Sequence, residues 1–574
     1  MSISQPFSFN WKIAGAAGHG VMLASKLMAK MAKRHGLQSF NYLEYPSLIR
    51  GGHQTGQVYA DFDNGSCQRR ALDAIVIYTQ ESFEIHADEI TDKTVIIYNS
   101  DFGKLKDEYL KKWGKQIHEM NLSTWAKAAA GTSLAANVVS LGVTAYLFGL
   151  DPKICKEVVA DELKVEKLVE KNKVAFDLGY SEAEKQLKPL MKITAQKDER
   201  ILLNGNEAIG LGALAAGLQF YSAYPMTPAT GLLHFMNEHK HKLPVVVKQV
   251  DDEIGAINEA IGAAFAGVRA MTGTSGGGFA LMVEALSFAG TAEIPLVILE
   301  AQRKGPASGV PTWTEQADLQ FVLTAGHGDF PKVVLTPGTV EEHFKLAQQA
   351  VYLSEKYQLP VIILSDKYIL ESHQTMPKPA EAYQLERYSM VADKDLPADE
   401  SYLRYKDTKN GISPRAIPGQ EFGLQLTNSY EHDEWGFATE DETAITKAVD
   451  KRARKMKTIL AELPQPELIG PKKADITFVS WGSTTNVMLE VVKLDTKNRV
   501  NAIHIPCIKP FPIEAFEKLA KSAKKLIMVE GNSNGQAEAW IKQQTSIKMD
   551  DHLRRYDGRP FYAEDLLEYV SQQK

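Results

Sequence analysis

The stretch from Val245 to Glu300 sets the tightest limit on the fold. It runs VVVKQV, DDEIGAINEAIGAAFAG, MTGTSGGGFALMVEALSFAG and finally IPLVILE. Short apolar runs bounded by turn residues predict strands covered on both faces, and the Ala/Gly-rich segments between them predict closely packed helices. Strand–helix alternation of this kind predicts a parallel sheet with helices on both sides. The rhythm occurs three times. A first unit has expected strands at Trp11–Ala14, Gly56–Ala60, Ala74–Tyr78 and Thr94–Tyr98. A second begins near Ile201 and includes Val245–Val250, Pro295–Glu300 and Pro360–Ser365. A third resumes at Ala474 with ITFVSWGS, VNAIHIPCIKPFP and KKLIMVEGNSNGQ. At 574 residues the chain exceeds a single core. The expected class is α/β, with three doubly wound α/β domains at 1–190, 198–385 and 471–574. The polar, Tyr- and Pro-bearing stretch 386–470 is expected to be an extended connection.

Composition removes several function classes. A net charge of −6 gives no electrostatic case for nucleic acid. Ala128–Leu150 carries no charge and is long enough to cross a bilayer. More than half of it is Gly, Ala, Ser, Thr and Asn, however, which predicts a buried helix under a sheet. The opening MSISQPFSFNWKIAGAAGHG has no leader pattern, so a cytoplasmic protein without a membrane partner is expected. The three cysteines, Cys67, Cys155 and Cys507, are scattered. A [4Fe–4S] cluster needs four thiolates, so this chain cannot hold one alone, and no metal site is expected in it.

Several motifs carry chemistry. GAAGHG at Gly15–Gly20 follows a strand and opens a helix, where backbone N–H groups accept phosphate. Glu44 lies roughly where a ribose-binding acid would fall, so an NAD-binding Rossmann unit is one reading and a ligand-free turn another. YPSLIRGGHQ places Arg50 beside Gly51, as an anion contact or as a plain turn. In YPMTPAT, Thr227 stands between Pro225 and Pro228, which restrict the backbone around one hydroxyl. Asp251 reads as a helix-start acid. Glu253 opens a helix so apolar that a carboxylate there needs a partner or a task. GTSGGG presents a further helix N-terminus. QRKGPASGVPT puts Arg303 and Thr312 on a loop beyond a strand, where an Arg and two Thr hydroxyls suit a small carboxylate; a solvated loop reads equally well.

Together these segments resemble the 2-oxoacid:ferredoxin oxidoreductases, in the form whose γ and α parts are fused. GAAGHG and EYPSLIRGG resemble the γ part. YPMTP, VDDEIGAINEAIGAAFAG, MTGTSGGGFALMVEALSFAG, AEIPLVI and QRKGPASGVPT resemble the thiamine diphosphate pyrimidine-type domain. SWGSTTN, IKPFP and VEGNSNGQ resemble a transketolase-C-like domain. The resemblance implies Glu253 as the catalytic glutamate at N1′ of the aminopyrimidine, with Tyr224 and Pro225 also on the cofactor. It implies Thr227, Arg303 and Thr312 on the 2-oxoacid, and Gly18, Gly20, Arg50 and Gly51 as candidate contacts for coenzyme A. The chain lacks the family's GDG motif; its only GD is Gly328-Asp329. A partner β subunit is therefore implied to carry the diphosphate, Mg²⁺ and a [4Fe–4S] cluster, in an (αβ)₂ assembly that passes electrons to ferredoxin. His19 stands where the family has Gln, Met226 where Ile is common and Ala307 where Ser is common. The implied substrate, by analogy with two-subunit γα-fused enzymes, is 2-oxoglutarate, with pyruvate or a broad 2-oxoacid range as the runner-up. An NAD-binding Rossmann oxidoreductase and a non-catalytic assembly subunit are the alternatives of another class.

Overall fold

The computed structural model describes residues 8–48, 51–63, 65–163, 165–379, 386–397 and 402–573, and three sheets organise them. The first has eight strands in the order Ile117–Met120, Val95–Asn99, Ala74–Ile77, Ser8–Ala16, His53–Asp61, Gln38–Glu44, His373–Met376, Ile201–Asn204. Its first four are parallel, but from His53–Asp61 onward every pairing is antiparallel. The second unit was expected to open at Ile201. Instead Ile201–Asn204 and His373–Met376 pair with each other and extend the first unit's sheet.

The second sheet runs Cys507–Lys509, Val333–Leu335, Pro360–Asp366, Leu296–Gln302, Ala270–Thr274, Phe220–Ala223, Val246–Gln249. Six of its strands are parallel; the seventh, Cys507–Lys509, arrives from the third unit and pairs antiparallel with Val333–Leu335. The run VVVKQV is therefore an edge strand rather than a doubly covered one, and Val246 is 54% exposed. The third sheet runs Glu467–Ile469, Val500–Ile505, Ile476–Trp481, Leu526–Glu530, Asp551–Arg554.

Two expectations about helices change. The uncharged stretch 128–150 is not one helix. Leu122–Ala130 ends at Gly131, whose φ of 77° places it in the left-handed region, and Ala136–Leu147 leaves at a bend of 118°. No single described helix is long and apolar enough to cross a membrane; this bent pair alone passes by length and composition. The small residues serve packing. A Cβ on Gly142 would fall 2.1 Å from the carbonyl of Phe176, and one on Gly179 would fall 2.1 Å from that of Val139. The helices Ala136–Leu147 and Glu166–Gln186 thus meet backbone to backbone.

The connection 386–470 is not wholly extended. Asp441 caps an 18-residue helix, Glu442–Ile459, by accepting from the Ala444 N–H at 2.8 Å. Its buried face is cationic. Lys451, at 2.6 Å, and Lys455 both pair with buried Glu293, and Arg452 pairs with Glu431. A one-turn spacing of lysines usually marks a solvated face, which hid this helix in the sequence.

Candidate active site

The candidate residues converge at the carboxyl ends of the second sheet's parallel strands. Phe220–Ala223 leads into Tyr224–Pro228, Val246–Gln249 precedes Glu253, Ala270–Thr274 precedes the glycine triplet, and Leu296–Gln302 precedes Arg303. Phe220–Ala223 and Ala270–Thr274 are neighbours from which the chain winds in opposite directions, the crevice where open α/β sheets take ligands.

Arg303 donates from Nη1 to the carbonyl of Thr227 at 2.8 Å, so the two loops share one place. The Thr227–Pro228 peptide is cis. Arg303 is half-buried, and among the described residues it has no ion-pair partner. A hairpin follows it: Lys304 N–H donates to Trp313 O at 2.8 Å and Val310 N–H to Lys304 O at 2.9 Å. The hairpin carries Thr312, which is buried with its hydroxyl unpartnered among the described residues. Tyr224 and Pro225 lie on the rim, Tyr224 being 39% exposed.

Glu253 is the first residue of the helix Glu253–Phe265, which Asp252 caps by accepting from Gly255 N–H at 2.7 Å. Asp251 and Asp252 face solvent, while Glu253 turns inward and is only 3% exposed. Its Oε1 is buried without a hydrogen-bond partner. Leaving such an atom unpaired costs about 1–3 kcal/mol unless a ligand donates to it. The glycine triplet makes room for this carboxylate. A Cβ on Gly278 would lie 2.4 Å from Glu253 Oε1 and 2.1 Å from Thr274 Oγ1. Thr274 in turn contacts Met226 Sδ at 3.9 Å, bridging the crevice to the YPMTP loop. In the sequence GTSGGG reads as a Gly-rich helix N-terminus; its room for the Glu253 carboxylate appears only in the fold.

Behind Arg303 lie two further carboxyl groups that the sequence did not single out, Glu300 and Asp318. Burial, and then Asp318 itself, holds the fully buried Glu300 carboxyl far above the usual range. Burial pushes Asp318 up to about 6.

The glycines of the first unit form a second locus. Gly18, Gly20 and Gly51 all have positive φ, and Ala17 N–H donates to Gly52 O at 3.2 Å, joining the two loops. Gly18 and His19 line a cavity of about 340 Å³ with Tyr78, Asp101, Thr124 and Lys127. His19 packs at a tilt against Phe102 and Tyr78, with ring centroids 4.7 and 5.3 Å away, and its Nδ1 accepts from Ala16 N–H at 3.2 Å. Gly20 and Gly51 are not among the lining residues, and Arg50 lies outside the described residues. The NAD reading of Glu44 loses its geometry here. The antiparallel strand His53–Asp61 stands between Ser8–Ala16 and Gln38–Glu44, where a Rossmann unit has adjacent parallel strands.

Over 614 aligned residues the chain is 31% identical to the 2-oxoacid:ferredoxin oxidoreductase subunit alpha of Sulfolobus sp., covering 97% of this chain and 96% of that one. The chain belongs to the 2-oxoacid:ferredoxin oxidoreductases. Three families match this oxidoreductase subunit in sequence. Residues 10–182 match Pyruvate ferredoxin/flavodoxin oxidoreductase and 468–555 match Transketolase, C-terminal domain. Residues 211–451 match Pyruvate flavodoxin/ferredoxin oxidoreductase, thiamine diP-bdg, so the subunit carries a thiamine diphosphate-binding domain. The 2-oxoglutarate synthase subunit KorA of Methanothermobacter marburgensis is 31% identical over 58% of this chain and 88% of its own length. Among solved structures, 2-oxoglutarate:ferredoxin oxidoreductase from Magnetococcus marinus, with 2-oxoglutarate, coenzyme A and succinyl-CoA bound, superposes with a TM-score of 0.90. It shares 30% identity over 99% of this chain and 100% of that one.

The surroundings of Glu253 fit a thiamine diphosphate pyrimidine. An orphaned, buried carboxylate oxygen suits the protonated ring nitrogen of an aminopyrimidine, and the glycine cradle keeps side chains off it. Among the described residues no group of three or more His, Cys, Asp and Glu could hold a metal ion.

Proposed function

We propose that this chain is the α subunit of a coenzyme A-acylating 2-oxoacid:ferredoxin oxidoreductase acting on 2-oxoglutarate in the cytoplasm. One observation carries the reading: the orphaned Glu253 carboxylate stands one crevice from the Arg303–Thr227 contact. Bound thiamine diphosphate supplies the electron sink for decarboxylation. Glu253 holds the pyrimidine end through a charge-assisted hydrogen bond and fixes its protonation state. Tyr224 and Pro225 shape the rim beside it. Arg303 binds the carboxylate of the oxoacid while its second contact, to Thr227 O, holds the guanidinium in place. The Thr227 and Thr312 hydroxyls orient the substrate.

On this reading the γ domain spans 1–190, the pyrimidine-type domain 198–385, the connection 386–470 and the transketolase-C-like domain 471–574. A β subunit brings the diphosphate, Mg²⁺ and the [4Fe–4S] cluster, and ferredoxin takes the electrons from an (αβ)₂ assembly. Exposed Tyr224, Ile254, Leu281 and Val310, all on the segments that carry the site, support an apolar partner covering this face. Coenzyme A takes the acyl group. The cavity at Gly18 and His19 is its candidate anchor, with Gly20, Arg50 and Gly51 as further candidate contacts.

The choice of 2-oxoglutarate rests on likeness to the Magnetococcus marinus enzyme and the KorA subunits. A broad 2-oxoacid range is the second reading, because relatives matched over nearly their whole length are named for 2-oxoacids in general. The αβ complex, assayed with coenzyme A and a one-electron acceptor against a panel of 2-oxoacids, separates the two. A kcat/KM for 2-oxoglutarate well above that for pyruvate and 2-oxobutyrate is expected. Equal values favour the broad range, and reduction of NAD in place of the one-electron acceptor would remove both.

A further inference from the structure

Glu44 and Trp313 take no part in the chemistry proposed above, yet a single side chain of the third unit touches both. The guanidinium carbon of Arg559 sits over the Trp313 ring, 3.1 Å from its centroid, and Arg559 Nε lies 3.9 Å from Glu44 Oε1. Glu44 ends the strand Gln38–Glu44 of the first unit, and Trp313 directly follows Thr312 on the hairpin of the second. Arg559 is half-buried where the three units meet. A guanidinium over an indole face is attracted by the ring's quadrupole, and a carboxylate at its edge limits its rotation.

The backbone of Trp313 belongs to the hairpin. Its N–H donates to Val310 O at 3.0 Å, and its carbonyl accepts from Lys304 N–H at 2.8 Å. Its indole is the part that reaches Arg559, and the next N–H, of Thr314, donates to Gly558 O at 3.2 Å. Gly558, with a φ of 85°, lets the loop come this near; a Cβ on it would stand 3.1 Å from Trp313 Cβ. That loop is braced in turn, since Asp557 Oδ1 accepts from Arg559 N–H at 2.9 Å and from Arg555 Nε at 3.1 Å. Glu44 is held from behind by Thr55, whose hydroxyl donates to Oε2 at 3.4 Å.

A two-armed hairpin is not rigid by itself, so the direction of the buried, unpartnered Thr312 hydroxyl depends on what holds the hairpin. We propose that Arg559 is a positioning residue for the 2-oxoacid: it pins Trp313, and with it the Thr312 hydroxyl, while Glu44 holds the guanidinium in place. This rests on the reading of Thr312 as an oxoacid contact.

The test measures kcat and KM for 2-oxoglutarate and for coenzyme A in the αβ complex, with thermal melts to confirm that each variant folds. A binding hydroxyl contributes equally before and during the reaction, so displacing it raises KM and spares kcat. Arg559→Ala raises KM for 2-oxoglutarate about three- to tenfold, the size of a lost cation–π contact, and leaves kcat and the coenzyme A KM within about twofold of the parent. Trp313→Leu does the same, and Arg559→Ala adds nothing in the Trp313→Leu background, because the two side chains act as one contact. Glu44→Gln gives a smaller rise, about twofold, and none in the Arg559→Ala background. A merely structural role predicts lowered melting temperatures with parental KM, or equal rises for both substrates; either result overturns the proposal, as does full additivity of Arg559→Ala and Trp313→Leu. Thr312→Val separates the pin from the contact it serves. A raised oxoacid KM in that variant, beside a parental one in Arg559→Ala, overturns the pin and leaves Thr312 in the site. A parental KM in Thr312→Val removes Thr312, and the proposal with it.

Discussion

Gly278 has no room for a side chain beside Glu253 and Thr274. Alanine there would gain about 1 kcal/mol of helix propensity, yet its methyl would collide with Glu253 and Thr274. Gly278→Ala is therefore expected to leave the melting temperature nearly unchanged and to lower turnover by ~tenfold or more, since about 1 Å of misplacement at a reacting centre is that costly. Glu253→Gln keeps the shape and removes the charge. Turnover in the acceptor-reduction assay should fall by about a hundredfold or more while the αβ complex still forms. Parental turnover in that variant would take Glu253 out of the chemistry. At this scale the sequence spoke clearly for Glu253, whose apolar helix made a carboxylate conspicuous. Thr227 and Arg303 were legible as separate loops, and their hydrogen bond depends on strand order that no local pattern encodes. Glu300 and Asp318 were not legible: one reads as the polar end of an apolar strand, the other as a loop acid.

Among elements, the helix Glu442–Ile459 teaches most. Its lysines are buried because Glu293, far off in the sequence, meets two of them. Glu293→Gln would strand both, and breaking a buried ionic group of this kind costs about 3–5 kcal/mol. A matching drop in the urea midpoint is expected; an unchanged midpoint would mean that water reaches the lysines. The same limit explains the edge strand Val246–Gln249. Apolar content marked it as a strand, but its place at the edge is set by the crossover that follows it. Strand–helix rhythm fixed the class of all three units, whereas the antiparallel half of the first sheet borrows strands from beyond residue 200 and has no local signature.

Across the whole molecule, the units are tied by a charged contact as well as by sheets. Glu342, on the helix Val340–Tyr357, accepts from Gly338 N–H at 2.6 Å and pairs with His504 of the third unit at 3.0 Å. Burial alone would raise its pKa, but His504 and the Gly338 N–H outweigh it and lower it from 4.5 to about 2. Because the folded value is depressed, the stabilisation is complete above about pH 4.5 and is lost as pH falls toward 2; it amounts to about 3 kcal/mol. Glu342→Gln should flatten the stability profile across that window, measured by chemical denaturation, and an unaltered slope would assign acid sensitivity elsewhere. The strand Ile201–Asn204, meanwhile, lies on the far side of the 187–200 linker from the sheet it completes, as His373–Met376 does too. A protease that nicked that linker would leave two fragments gripping each other through a shared ladder. They would run as one particle on a sizing column and part only in denaturant, so the peptide bond there carries sequence continuity more than mechanical load.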